Sequence, residues 1–329
     1  MSSIRNVAIL GASGNLGRLI FAHLVSAGFN VVIITRPDSK LLSVSDYTSS
    51  APCSNVTIEV KTSPYSDLDG LIQAFAGQDA VVEAFNPDAA QHQRTIVRAA
   101  LAARVSHIIT PEFGLDTFNE HIGETLVSGS KIRAQQELEE EIAAEAERTG
   151  TQPKLEWTAI IVGGWYDWGI QKGMFWVQKD TKTIIRIGSG NQKYSISRVA
   201  LNGEAVVEVL RKPEKYRNRP AYFASATLST NELNDMINKI ALARNQEPWN
   251  IVDAPIDGML KIGREMWERD TAAGVQDRLS SEAYRILGTA SVFDENNRYG
   301  ADFSTKVEPS GGEDLEKLRK NLEGLLFQG

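Results

Sequence analysis

The first half of the chain alternates two hydrophobic patterns. Near-continuous apolar and β-branched runs occur at "NVAIL" (Asn6–Leu10), "NVVIIT" (Asn30–Thr35), "VTIEV" (Val56–Val60), "DAVVEAF" (Asp79–Phe85) and "SHIIT" (Ser106–Thr110). Runs with no polar face suit strands buried on both sides, the condition of a parallel sheet. Between them, Leu16–Ala27, Leu68–Ala76 and Ala89–Ala103 place apolar residues three and four apart, the spacing of one helical face. This alternation predicts an α/β architecture, a doubly wound parallel sheet with right-handed helical crossovers. "KLEWTAIIV" (Lys154–Val162) predicts a sixth strand. Ahead of it, Ser128–Gly150 predicts a long helix with Ser128 or Ser130 at its cap, Gly150 past its end and an acidic stripe facing solvent.

After Val162 the pattern loosens. "TIIRIGSGNQKYSIS" predicts a hairpin turning at Gly188–Asn191, and "LSTNELNDMINKIAL" opens with Ser229 and Glu232 at capping-box spacing. "EPSGGE" (Glu308–Glu313) reads as a linker, and residues 313–327 as an amphipathic helix docking on the body. The expected division is residues 1–162 as the wound sheet and 163–329 as a smaller C-terminal α+β lobe for substrate.

Composition narrows the function classes. With 329 residues and 42% hydrophobic content the chain can bury a sizeable core. Its 42 acidic against 35 basic residues, with no basic run interleaved with aromatics, argue against a nucleic-acid partner. Cys53 is the single cysteine, and His23, His92, His107 and His121 show no ligand spacing, so neither a disulfide framework nor a metal centre is expected. His23 and His107 read as structural, and Cys53 as a loop thiol. No run approaches the ~20 apolar residues of a membrane span, and "MSSIRNVAIL" has no cleavage-site pattern. A cytoplasmic setting without membrane or metal is the expectation.

The chemistry begins at "GASGNLG", Gly11–Gly17, between the first strand and the first helix. Gly11 permits the tight turn, Gly14 lets a pyrophosphate approach the backbone, and Gly17 lets the helix pack on the sheet. Ala12, Ser13, Asn15 and Leu16 complete the cradle under the helix dipole. This predicts a dinucleotide in a Rossmann-type sheet, the bland alternative being a tight turn that needs glycine for packing alone. After the second strand comes "TRPDSK", where Arg36, with Lys40 in reach, suits the 2′-phosphate of NADP(H); Asp38 is the alternative acceptor for the ribose of NAD.

With "GASGNLG", "TRP" (Thr35–Pro37), "TPEFGLD" (Thr110–Asp116), Lys131 and "IIVGGWYDWG" (Ile160–Gly169), the chain resembles, over nearly its whole length, the NmrA-like, isoflavone-reductase-like branch of atypical short-chain dehydrogenases, with wording closest to fungal members. The resemblance implies an NADPH-binding domain and aromatic secondary metabolites or lignan-like compounds as substrates. None of the eight tyrosines has a lysine four residues on, so the usual Tyr-x-x-x-Lys proton donor is absent. The family's catalytic lysine matches Lys131, although the interval from "EFG" is shorter here than in the plant reductases. A helix N-terminus and desolvation both lower a lysine's proton affinity toward acid/base range, so Lys131 is expected as the catalytic group or as a cofactor contact; a solvated first-turn lysine is the alternative.

At the carboxyl ends of the strands, Phe85, Asn86 and Pro87 and the Pro111–Gly114 turn are expected to line the cofactor, with Gly163 and Gly164 beyond the sixth strand. Glu112 reads as a turn-stabilising carboxylate. Phe113, Trp165, Tyr166 and Trp168 offer a flat apolar wall to a small aromatic substrate, or equally a core joining the lobes. Two function classes follow: an NADPH-dependent oxidoreductase transferring hydride to an aromatic enone, ketone or benzylic centre, and a non-catalytic NADP(H) redox sensor of the NmrA type. An isomerase or dehydratase without net redox change is a third.

Overall fold

In a computed structural model, the structure describes residues 4–39, 43–45 and 56–327. Lys40 and Cys53 lie outside the described residues. The chain runs β1 (Asn6–Leu10), α1 (Asn15–Ser26), β2 (Asn30–Thr35), β3 (Ile58–Thr62), α2 (Leu68–Phe75), β4 (Ala80–Glu83), α3 (Gln93–Ala102), β5 (His107–Ile109), α4 (Gly129–Thr149) and β6 (Glu156–Ile161). It continues through β7 (Gly164–Trp165), α5 (Tyr166–Gln171), β8 (Val177–Gln178), β9 (Thr183–Ile187), β10 (Lys193–Ser197), α6 (Leu201–Arg211), α7 (Pro213–Tyr216) and β11 (Arg219–Ala224). Last come β12 (Ala226–Ser229), α8 (Thr230–Ala243), β13 (Asn250–Ala254), α9 (Met259–Ala272), α10 (Glu282–Val292), β14 (Val307–Gly312) and α11 (Leu315–Phe327).

The central parallel sheet has the order β14-β11-β6-β5-β4-β1-β2-β3. From β1 the chain winds outward to β2 and β3, then returns to β4 and winds the other way. The order therefore reverses between β1 and β4, and ligands of wound sheets bind beyond the strand ends at such a point. β4 is buried throughout, and β1 and β2 everywhere but their first residue, as their apolar runs require. β3, expected from Val56–Val60 to be buried on both faces, instead has no buried residue and starts at Ile58, because it is the sheet's edge strand.

Two compact units emerge, each built from separate segments. The first comprises Met1–Phe113, Ser130–Ile160 and Asn202–Ala221, the second Gly114–Gly129, Ile161–Leu201 and Tyr222–Gly329. In the first, Arg98 and Arg94 of α3 reach Glu141 of α4 at 2.7 and 3.1 Å. The acidic stripe expected to face solvent is thus partly enclosed, Glu141 being 8% exposed, because two guanidiniums cover it. The helix expected at Ala89–Ala103 is divided: Pro87–His92 forms a 3-10 turn, and the α-helical part starts only at Gln93.

The second unit has two three-stranded sheets, β12-β10-β7 and β13-β9-β8. The turn at Gly188–Asn191 exists, but β9 and β10 do not form a hairpin. β9 takes β13 as a parallel partner, and β10 pairs antiparallel with β12. The expected linker at Glu308–Glu313 is largely strand β14: Tyr222 pairs with Val307 and Ala224 with Gly312, with an irregularity between. The capping box is complete, Ser229 Oγ accepting from the Glu232 amide at 3.2 Å and Glu232 Oε2 from the Ser229 amide at 2.8 Å. Leu318, Leu322, Leu326 and Phe327 of α11 enter this unit's core with Trp249, Tyr166 and Ile237.

Candidate functional site

In the first unit, β1 ends against the glycine turn. Gly11 has φ +82°, and a Cβ there would lie 2.5 Å from the Ala84 carbonyl oxygen; a Cβ on Gly17 would lie 2.1 Å from the Gly11 carbonyl oxygen. Both glycines are required by the chain's own packing. Gly14 differs. It has φ −75° and nothing closer than 3.4 Å to an added Cβ, so no backbone neighbour forbids a side chain there. Gly14 is the N-cap of α1, brings no side-chain cap, and the first turn carries no acidic residue. The leading amides and the positive end of the helix dipole are left for an anion. The cradle thus fits a pyrophosphate on its own geometry.

Tyr65, missed in the sequence, completes the turn. Its hydroxyl accepts from the Gly11 amide at 3.0 Å, and its ring lies 5.7 Å from that of Phe85, centroid to centroid. Past β2, Arg36 is exposed, its Nε 3.6 Å from Asp38 Oδ1. Asp38 therefore acts as partner of the guanidinium, which keeps donors turned to solvent. Phe85 is half-buried, Asn86 is exposed, and Pro87 opens the 3-10 turn just after the reversal between β1 and β4.

Beyond β5 the chain makes a tight turn. The Glu112 amide donates to the Thr110 carbonyl at 2.8 Å, and the Phe113 amide rejoins β6 through Ile160 O at 2.8 Å. Phe113 has φ +52°, the left-handed region a phenylalanine rarely enters. Its ring is buried, at 4% exposure. The Glu112 carbonyl so presented accepts a short hydrogen bond from Lys131 Nζ, in the first turn of α4. Burial pushes the Lys131 ammonium below the ordinary lysine range, and the Glu112 carboxylate pulls it partly back. Lys131 is thereby held, partly buried, with weakened affinity for its proton.

Two further interior groups carry displaced proton affinities: Glu83, which the motif reading does not single out, and His107, which it reads as structural. Glu83, the last residue of β4, is fully buried; Gln93 Nε2 donates to its Oε2 at 3.1 Å. Desolvation pushes its carboxyl up to about 8, against the Gln93 bond and with help from the Glu112 charge. A carboxylate inside the buried run "DAVVEAF" was the available signal. His107 donates through Nε2 to Thr158 Oγ1 at 2.9 Å, since that hydroxyl itself donates to Tyr216 O at 2.8 Å. Burial pushes it down to about 4, so it is neutral and structural. His23 Nδ1 lies 2.9 Å from Leu19 O within its own helix.

In the second unit, Gly163 has φ +71°, and a Cβ there would lie 2.1 Å from Ser195 O. Its amide donates to Gly114 O at 2.9 Å. The close approach of the β10 backbone accounts for this glycine; Gly164 pairs with Ile196. Trp165 and Trp168 are half-buried and edge-to-face, centroids 6.1 Å apart. Tyr166 is 1% exposed in the unit's core, its hydroxyl accepting from Asn321 Nδ2 at 3.2 Å and pushed up to about 12 by burial. Of the aromatic wall, the two tryptophans present ring surface and the tyrosine is core. Asp116, last of "TPEFGLD", is anchored by Tyr222 Oη at 3.0 Å and Lys306 Nζ at 2.7 Å.

A family model described as NAD(P)H-binding matches residues 11–213, starting at the first glycine of the cradle. The chain belongs to this NAD(P)H-binding family. The oxidoreductase aprR of Aspergillus flavus is 33% identical over 233 residues, 69% of this chain and 71% of that protein. The oxidoreductase poxI of Penicillium oxalicum is 27% identical over 274 residues, 83% of this chain and 80% of that one. Among solved structures, isoflavone reductase superposes with a TM-score of 0.67 at 16% identity, covering 97% of this chain and 95% of that one. The complex of leucoanthocyanidin reductase with NADPH from Vitis vinifera gives 0.66 at 16% identity, covering 95% and 93%. This NAD(P)H-binding family member is an oxidoreductase with the fold of those two reductases. Among the described residues no helix is long and apolar enough to cross a membrane, and no group of His, Cys, Asp and Glu could hold a metal.

Proposed function

We propose that the protein is an NADPH-dependent reductase of a small aromatic enone, ketone or benzylic centre, with Lys131 as its catalytic acid/base. The carrying observation is Lys131 itself, a partly buried first-turn lysine fixed on the Glu112 carbonyl and depressed below the ordinary lysine range. An exposed lysine would hold its proton too firmly to exchange it near neutral pH. NADPH, when bound, supplies the hydride. The amides of the turn other than that of Gly14, which donates to the Gly11 carbonyl, would hold its pyrophosphate, and Arg36 its 2′-phosphate with planar donors that suit an oxyanion. Phe85, Asn86 and Pro87 would flank the cofactor at the end of β4, and Trp165 and Trp168 would offer ring surface to the substrate. Relatives named oxidoreductases support the redox reading, and a neighbour solved "with NADP+ and (+)pinoresinol" supports an aromatic ligand.

The test is a titration with NADPH, NADP, NADH and NAD, followed by nicotinamide absorbance against a panel of aromatic enones and ketones. Turnover with NADPH that Lys131→Ala lowers by at least about a hundredfold, with cofactor binding intact, is expected. Arg36→Ala should weaken NADPH and leave NADH unchanged. Binding that separates reduced from oxidised cofactor without any turnover would replace the reductase by a redox sensor.

A further inference from the structure

Glu83, Gln93, Glu112 and Lys131 bring an acid, an amide, a carboxylate and an ammonium into one interior. They come from β4, α3, the turn after β5 and the first turn of α4, and all belong to the first unit. Glu83 and Gln93 are fully buried and Glu112 is 2% exposed. Glu83 is in register with Leu10, directly before the glycine turn. Gln93 faces Glu83 through its amide, Glu112 acts on it through charge, and the same Glu112 charge acts on Lys131.

The hydrogen bonding at Glu83 is half complete. Its Oε2 accepts from Gln93 Nε2, while Oε1 of Glu83 and Oε1 of Gln93 have no partner among the described residues. An ionised carboxylate has acceptors only, so it leaves both oxygens without a donor. A carboxylic acid carries its hydroxyl on the oxygen that Gln93 does not occupy, and that hydroxyl complements the orphan amide oxygen. Charge favours the same state. With Glu83 neutral, the enclosed cluster holds one cation and one anion; with Glu83 ionised, two anions share one ammonium in a poorly solvated interior.

We infer that Glu83 is a positioning residue for Lys131, a neutral carboxylic acid paired with the Gln93 amide, so that Glu112 alone supplies the ammonium's counter-charge. This rests on Lys131 as the group that moves the proton. Burial pushes Glu83 up to about 8, so the cluster is neutral at physiological pH. Above that, Glu83 loses its proton and a second carboxylate acts within the cluster. The ammonium is then held more firmly and gives its proton less readily, so reduction falls on the alkaline side.

Three variants and two readouts test this. In protein labelled with carbon-13 at glutamate Cδ and lysine Cε, one carboxyl should titrate near pH 8 and vanish in Glu83→Gln. The Lys131 Cε resonance, assigned by its loss in Lys131→Ala, should show an inflection at that pH in the wild type and none in Glu83→Gln. In turnover with NADPH, Glu83→Leu should lower kcat about tenfold and Glu83→Gln, the isostere of the neutral acid, should restore it. The wild-type kcat should then step down through pH 8 to a lower level, while that of Glu83→Gln shows no step there and stays level up to the Lys131 limb. A Glu83 carboxyl that titrates in the ordinary range, or a Lys131 resonance that responds identically in wild type and Glu83→Gln, overturns the inference. Undiminished turnover of Lys131→Ala overturns the catalytic reading instead, and the resonance measurements still decide whether Glu83 sets the charge on Lys131.

Discussion

Glu83 keeps its proton at the expense of stability. Its carboxyl ionises in the ordinary range when unfolded but only near 8 when folded, so between those values the unfolded chain binds fewer protons and stability falls as pH rises. The slope approaches about 1.4 kcal/mol per pH unit. Glu83→Gln should remove it: equal melting temperatures at pH 4.5 and a gap widening toward pH 8, read by calorimetry in phosphate. His107 acts with the opposite sign. Its folded value of about 4 lies below the ordinary histidine value, so stability is full above that value and is lost as pH falls through it toward 4. His107→Gln keeps a donor for Thr158 and should lose less stability between pH 7 and 5 in urea; identical losses would remove His107 from the acid limb. Some of these roles were legible and some were not. Arg36 could be read because it directly follows an apolar run, and Lys131 only because a family motif pointed to it. Tyr65 could not, since its hydrogen bond to Gly11 spans 54 residues and no local pattern records it.

Among the elements, the glycine turn separates two uses of one residue type. Gly17 is excluded from carrying a side chain by the Gly11 carbonyl, whereas a Cβ on Gly14 would meet that carbonyl only at 3.4 Å, an ordinary contact. Gly14→Ala should therefore fold with a far-ultraviolet dichroism spectrum like the wild type and bind NADPH at least about tenfold more weakly, while Gly17→Ala should express as insoluble or unfolded protein. Equal NADPH affinity of Gly14→Ala and wild type would remove Gly14 from the phosphate cradle. β1, β2 and β4 were legible because they are almost wholly buried, so the apolar run coincides with the element, whereas the edge strand β3 has no buried residue and begins two residues later than its run. β14 was not legible. Pro309 and Gly311 are loop residues by composition, yet an edge strand tolerates proline, and a Cβ on Gly311 would lie only 2.8 Å from Tyr222 O. The expected hairpin failed for a related reason: turn chemistry at Gly188 and Gly190 is local, whereas β9 pairs with the preceding β8 and the distant β13, and β10 with β7 and β12, so neither takes the other as partner.

For the whole molecule, each unit is assembled from segments that a single cut divides. The first unit needs residues 202–221, where Val206, Val209 and Tyr216 are fully buried. A fragment of residues 1–162 should show no cooperative thermal transition, while one of residues 1–221, holding every segment of that unit, should show one; cooperative melting of 1–162 would mark it as a domain in its own right. The interleaving also dictates an order of completion on the ribosome. The first unit has all its segments once residue 221 is made, but the second waits for Leu318, Leu322, Leu326 and Phe327 of α11 to enter its core. At translation rates of about 5–20 residues per second, the cofactor cradle can be finished on the order of ten seconds before the second core closes. In that interval the nascent chain carries β11 with its β14 edge unpaired, a strand border open to pairing with other chains until synthesis reaches the sheet's last strand.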